Sequence, residues 1–129
     1  MEANGQKPSA NVQVAVAALV ATIFSMCVPL ALGFARRVPE AFHDMAITLH
    51  ATLVTVGLFA LPLVWWRRKV GYVCATFIGA FNVLGNVGGI IQGTPFSPGM
   101  PQGTIAVWVS QIGVSILVVV FCARAWRER

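Results

Sequence analysis

The chain has 129 residues, of which 57% are hydrophobic, and its mean hydropathy is +0.78. Charged residues make up only 10% of the chain, against about 25% in an ordinary soluble domain. This composition excludes a soluble globular domain, which needs a charged surface, and an intrinsically disordered chain, which needs low hydrophobicity. The net charge of +5 could suit nucleic acid, but the basic residues lie at the ends of apolar segments, so we expect no nucleic-acid partner.

Charged residues are absent from three long segments of the chain, at residues 8–35, 45–66 and 70–123. A helix that crosses a bilayer needs roughly 20 mostly apolar residues. The third segment holds two such helices, because the prolines and glycines of residues 93–103 interrupt it. The sequence therefore predicts an all-α integral membrane protein whose helices span about 12–35, 43–66, 70–92 and 104–125. We expect a single domain over residues 1–129, with a flexible tail at 1–10 and the lipid bilayer as its surroundings.

The distribution of basic residues predicts the orientation in the membrane. Four spans place both termini on one side of the membrane. Of the basic residues, only Arg36 and Arg37 lie on the opposite side. The positive-inside rule therefore places the termini in the cytoplasm, and we expect the inner membrane of a bacterium. The short links between spans favour an up-down-up-down bundle. Seven basic residues share the side of the termini: Lys7, Arg67, Arg68, Lys69, Arg124, Arg127 and Arg129.

The first span is rich in alanine. Its uncharged run is longer than the 7–15-residue core of a signal peptide, so we expect it to be retained as a transmembrane helix. Ala17, Ala21 and Ser25 follow one another at four-residue spacing and form a small face. Small faces allow helices to approach closely in lipid, so this face is predicted to point to the bundle axis.

The second span begins with the residues that are most suggestive of chemistry. Glu40 and His43 stand at i and i+3, a spacing that carboxylate-bridged metal sites in helix bundles use, which makes them candidate metal ligands. His50 lies two turns beyond His43, about 10 Å along the axis, so the two cannot share one metal ion or one haem. His50 is the deepest titratable group and a candidate contact for a haem, a copper ion or a quinone, or a proton relay. A structural hydrogen bond is the favoured interpretation for His50, and no cofactor is the favoured expectation.

Small and polar side chains form a face on each of the last three spans. On the third span, Asn82 and Asn86 lie one turn apart among glycine and alanine, opposite a bulky apolar face, and can supply interhelical hydrogen bonds. We expect these faces to converge on the bundle axis as packing contacts; the alternative is that Thr55, Asn82, Asn86, Gln111 and Ser115 line a ligand site or pore. On the other two spans the faces comprise Asp44, Thr48, Ala51 and Thr55, and Thr104, Trp108, Gln111, Ser115 and Cys122.

Three functional hypotheses follow. The first is a small non-catalytic subunit that packs within a larger membrane complex, such as a respiratory or other energy-converting complex, through the bulky faces of the third and fourth spans and the 93–103 loop. The second is a small homo-oligomeric channel or uncoupled transporter, because no acid lies deep in any span to couple transport to protons. The third is a redox subunit that binds haem or a metal through His50. No catalytic constellation is visible in the sequence, so an enzyme is the less favoured reading.

Overall fold

The computed structural model describes residues 7–31, 43–91 and 102–129, which form four α-helices and, within those ranges, no strand. The helices are α1 (Ala10–Ala31), α2 (His43–Trp65), α3 (Lys69–Ile91) and α4 (Gln102–Arg127). Each contains a segment of 18 to 20 residues that is long and apolar enough to cross a membrane. The predicted four-helix membrane bundle is therefore confirmed, with most helix ends within two residues of their expected positions.

The helices pack in a ring, in which each one contacts the helices before and after it and α4 closes against α1. Arg67, in the turn between α2 and α3, donates a hydrogen bond of 3.1 Å from Nη2 to the backbone oxygen of Glu128, just beyond α4. Ser9, just before α1, donates to the carboxylate of the same Glu128 at 2.6 Å. The start of α1, the α2–α3 turn and the end of α4 thus meet at one end of the bundle, which we call the basic end.

The α2–α3 turn is closed by backbone hydrogen bonds. Arg67 has a positive φ of 57°, its amide donates to Val64 O, and the amide of Arg68 donates to Leu63 O. This is the Schellman pattern that ends many helices, with arginine in the left-handed position that glycine usually takes. The turn directs α3 back along α2, and Gly71 allows the contact: a β-carbon there would lie 2.5 Å from the carbonyl carbon of Leu63.

The centre of the bundle near the basic end is an apolar core. Leu19, Ala60, Val64, Ala75 and Val118, which come from all four helices, are each fully buried. A smaller cluster of Met26, Leu53 and Ile78 continues this core towards the opposite end. The mixture of alanine with larger side chains keeps the helices close enough for contacts on every side.

The predicted inner face of the second span is wrong, and that of the first span is correct only at Ser25, which is half-buried and contacts Gln111. Ala17 and Ala21 are exposed on α1, and the inner positions are taken by Ala15, Ala18 and Leu19. On α2 the whole predicted face of Asp44, Thr48, Ala51 and Thr55 is exposed. The reason is that lipid is as apolar as a protein core, so apolar residues can lie on either side and a small or hydroxyl-bearing side chain does not mark the inside.

Candidate functional site

Polar side chains of α3 and α4 meet inside the bundle. The Asn82 Nδ2 donates a hydrogen bond of 2.7 Å to the Ser115 Oγ, and Ser115 is fully buried. Asn86, one turn further along α3, donates from Nδ2 to the backbone oxygen of Asn82 at 2.7 Å and to its Oδ1 at 3.1 Å. Gly79, one turn before, brings the backbones together, since a β-carbon there would lie 2.9 Å from the Ser115 carbonyl oxygen. The side chains therefore form a chain of hydrogen bonds from Asn86 through Asn82 to α4.

A second contact extends this group to α1. Gln111 lies one turn from Ser115 on the same face of α4, is almost fully buried, and donates from Nε2 to the backbone oxygen of Ser25 at 2.9 Å. The hydroxyl of Ser25 donates to the backbone oxygen of Thr22 at 2.7 Å. Three helices are thus joined at one depth by polar groups that would be costly to leave unpaired in lipid. We call Ser25, Asn82, Asn86, Gln111 and Ser115 the polar layer.

His50 lies at about the same depth. The open side of Gly57 on α2 faces Ile23 and Ile78, which places these three residues at one level. His50 is two turns from Gly57 in the direction away from the basic end and on the same side of α2, about 10 Å further along the axis. Asn82 and Asn86 are one and two turns beyond Ile78 in that direction, about 6 and 12 Å. His50 is partly buried, so α2 brings an imidazole to the level of the polar layer.

The other predicted site residues are not brought to this group. Thr55 is exposed on α2, and its hydroxyl donates to Ala51 O of the same helix at 2.8 Å. Glu40 and the side chain of His43 lie outside the described residues, so the proposed metal pair stays a prediction. Among the residues that the structure describes, no group of three or more His, Cys, Asp or Glu is placed to hold a metal ion.

The basic end holds a polar cluster that the sequence reasoning missed. The Glu128 carboxylate accepts hydrogen bonds from the Ser9 hydroxyl at 2.6 Å and from the Asn11 amide. The Ser9 and Asn11 hydrogen bonds, with the nearby Arg67 charge, hold the pKa of Glu128 below its usual range. The serine just before the first span is a typical helix N-cap and could have drawn attention to this end, but a partner more than a hundred positions away is not visible in a local pattern.

Comparisons with protein-family models, with curated proteins and with solved structures found no match. The polar layer offers amide and hydroxyl groups, which bind helices or small ligands. Two described titratable side chains lie at its level, the imidazole of His50 and the free thiol of Cys27. These groups are suited to recognition and packing.

Proposed function

We propose that this protein is a small non-catalytic subunit of a larger membrane complex, such as a respiratory or other energy-converting complex. The observation that carries the proposal is that the polar groups inside the bundle bond to one another and to the backbone, as in the Asn82–Ser115 and Gln111–Ser25 contacts. Groups that are engaged in this way hold helices together and leave the outer surface as the part that acts on other molecules.

The packing below the polar layer supports this proposal over a pore through one chain. Leu53 and Ile78 are buried beneath the layer, with Met26 packed on them at its level, and the fully buried Leu19, Ala60 and Val64 follow towards the basic end. A solute that left the polar layer would have to cross this close-packed apolar segment. Such interiors contain few voids as large as a water molecule.

The outer face of α3 is the surface proposed to contact other subunits. Val73, Phe77, Phe81 and Leu84 follow one another at spacings of three and four residues and are all exposed. The ring centroids of Phe77 and Phe81 lie 6.1 Å apart, so the middle of the face carries a pair of aromatic rings. Large apolar faces that fit a facing helix give the van der Waals contacts on which subunit association in lipid depends.

The test is purification of the full-length protein from its own membranes in a mild detergent, followed by mass spectrometry of what stays attached. We expect a fixed set of larger membrane proteins in constant ratio to this chain. Leu84→Trp, which adds bulk at the most exposed position of the α3 face, should remove that set. Recovery of the chain alone, or only with copies of itself, would contradict the proposal.

A matched control separates the α3 face from general exposure to lipid. Leu84 is 72% exposed and Phe24, on α1, is 70% exposed. Phe24→Trp therefore makes a similar change on a different outer face and should keep the attached proteins. Loss of the attached proteins from both variants would contradict a specific role for α3.

One observation favours a second candidate, a homo-oligomeric channel or uncoupled transporter. Thr48, Thr52 and Thr55 form a line on the outside of α2, between the exposed Met45 and Phe59. The spacing of three and four residues is that of a helix-packing seam, and three hydroxyl groups in one line could border a path between copies. The hydroxyls of Thr52 and Thr55 donate to Thr48 O and Ala51 O of their own helix, and each oxygen can still accept a hydrogen bond.

Flux measurements distinguish this second candidate. If copies surround a path, purified protein in liposomes should conduct small solutes, and Thr52→Val with Thr55→Val should reduce the flux while the helical content stays the same. Asn82→Leu, inside a single bundle, serves as the comparison and should change stability more than flux. Liposomes that are no more permeable than empty ones would exclude the channel.

A further inference from the structure

A groove runs between α3 and α4 in their halves nearest the basic end. It has a volume of about 360 Å³ and opens on the outer surface of the bundle, which faces lipid in a membrane. Its walls are nearly all apolar and include Tyr72, Val73, Phe77, Cys122, Ala123 and Trp126. The wall is held firmly, because Tyr72 is almost fully buried and its ring meets that of Trp126 edge to face at a centroid distance of 6.2 Å.

A groove of this form fits one flexible apolar chain. Two parallel helix ridges border it, so an occupant has to be long and narrow and lie along the helix axes. An empty groove would deprive its lining of dispersion contacts. The acyl chain of a membrane lipid meets these requirements and is always present at this surface.

Basic side chains surround the mouth of the groove. Lys69 lies one turn before Val73 on the same face of α3, and Arg127 lies one turn after Ala123 on α4. The guanidinium of Arg129 lies 5.9 Å from the centre of the Trp126 ring. All three cations are exposed, and they stand where α3 begins and α4 ends, which is the level of the lipid headgroups.

The acidic residue nearest in sequence to these cations forms its hydrogen bonds with another part of the basic end. Glu128 is turned to the start of α1, where it accepts from Ser9 and Asn11. It is the only Asp or Glu among the described residues of the basic end. The mouth of the groove therefore carries an excess of positive charge, which complements an anionic headgroup.

We propose that the α3–α4 groove binds one anionic phospholipid. One acyl chain lies along Val73, Phe77 and Ala123, and the phosphate lies among Lys69, Arg127 and Arg129. The site lies outside the polar layer. It shares Val73 and Phe77 with the α3 face proposed to contact other subunits, but lipid binding is measured on the isolated protein, so the two proposals can fail separately. A basic pocket between transmembrane helices is a known way of recognising such headgroups.

The test is native mass spectrometry of the purified, delipidated full-length protein with added dioleoylphosphatidylglycerol or dioleoylphosphatidylcholine. We expect one molecule of the anionic lipid to be retained under conditions that remove the zwitterionic one. The triple variant Lys69→Gln, Arg127→Gln and Arg129→Gln should bind the anionic lipid at least about tenfold more weakly. The control variant Lys7→Gln, Arg68→Gln and Arg124→Gln loses the same charge at the same end but away from the groove, and should stay within about twofold of the wild type.

Two further measurements test the apolar part of the site. Ala123→Phe fills the groove without changing charge and should expel the lipid, whereas Val120→Phe, on the outer side of the same helix, should not. Inorganic phosphate should fail to displace the bound lipid. Equal retention of the two lipids, equal losses in the two triple variants, unchanged binding in Ala123→Phe, or displacement by phosphate would each overturn the proposal. Circular dichroism of each variant shows whether the helices are intact.

Discussion

Single glycines decide how closely α2 and α3 approach. A β-carbon at Gly71 would lie 2.5 Å from the Leu63 carbonyl carbon and 2.6 Å from the Val64 amide nitrogen. Both are backbone atoms, which cannot rotate away. We therefore expect Gly71→Ala to lower the free energy of unfolding by about 1–3 kcal/mol or more.

Gly85 is the matched control for this substitution, because it lies on the same helix with nothing within 4 Å of the position of a β-carbon. Gly85→Ala should be neutral or slightly stabilising, since alanine restricts the unfolded chain and favours the helix. Denaturation of both variants in mixed micelles measures the difference. Equal destabilisation of the two would contradict the close contact at Gly71.

The Asn82–Ser115 hydrogen bond is the contact of the polar layer whose contribution can be measured directly. Ser115→Ala removes the acceptor for the Asn82 amide, which is 2.7 Å from it. We expect a loss of about 1 kcal/mol in the free energy of unfolding, since interhelical hydrogen bonds in membranes contribute roughly 0.6–2 kcal/mol. A double-mutant cycle with Asn82→Ala isolates the pair, and a coupling energy near zero would contradict a stabilising bond. Thr55→Ala, whose hydroxyl bonds within α2, is expected to cost much less.

At the scale of whole elements, Glu128 ties the end of α4 to the start of α1. Its pKa is held below the usual 4.5 by hydrogen bonds from Ser9 and Asn11 and by the charge of Arg67. Because the pKa is lower in the folded state, this contact stabilises the first turn of α1 above about pH 4.5 and is lost as the pH falls through the lowered value. Glu128→Gln should therefore increase fraying of α1 at neutral pH and make no difference in strong acid.

Amide hydrogen exchange at residues 12–14 measures this fraying. The ratio of the exchange rate in Glu128→Gln to that in the wild type cancels the intrinsic dependence of exchange on pH. We expect a ratio above one at pH 7 that approaches one as the pH falls below the lowered pKa of Glu128. A ratio that stays constant over this range would show that the carboxylate does not tie the two helices.

The helices themselves were predictable from the sequence, but their orientation about the axis was predictable for only part of the bundle. The α3 face was correct because asparagine carries a large penalty in lipid and glycine marks a close contact, as Asn82 and Gly79 show. The face of α2, and the α1 face at Ala17 and Ala21, were wrong because alanine and threonine carry no such penalty. The exposed Thr52 and Thr55 satisfy their hydroxyls on their own backbones, so they can face lipid.

The candidate site follows the same rule. Asn82, Asn86, Gln111 and Ser115 could be selected from residue type alone, because amides in a span need partners. The acceptor of the Gln111 hydrogen bond, the Ser25 backbone oxygen, could not be selected in this way. Which backbone carbonyl accepts from a neighbouring helix depends on how the two helices cross. The α3–α4 groove was equally hidden, because it arises where two apolar surfaces separate and no residue type marks that separation.

At the scale of the whole molecule, the charge of the basic end predicts the direction of insertion. Seven cations and one acid lie among its described residues, so from the positive-inside rule we expect this end to face the cytoplasm. In a variant whose three native cysteines are replaced by alanine, a membrane-impermeant maleimide on intact cells should label Met100→Cys, in the segment that joins α3 to α4, but not Lys7→Cys or Arg68→Cys. Permeabilised cells should label all three, which controls for reactivity. If only Lys7→Cys and Arg68→Cys are labelled in intact cells, the orientation is the opposite of the predicted one. If Arg68→Cys and Met100→Cys are both labelled in intact cells, α2 and α3 are not two full membrane crossings.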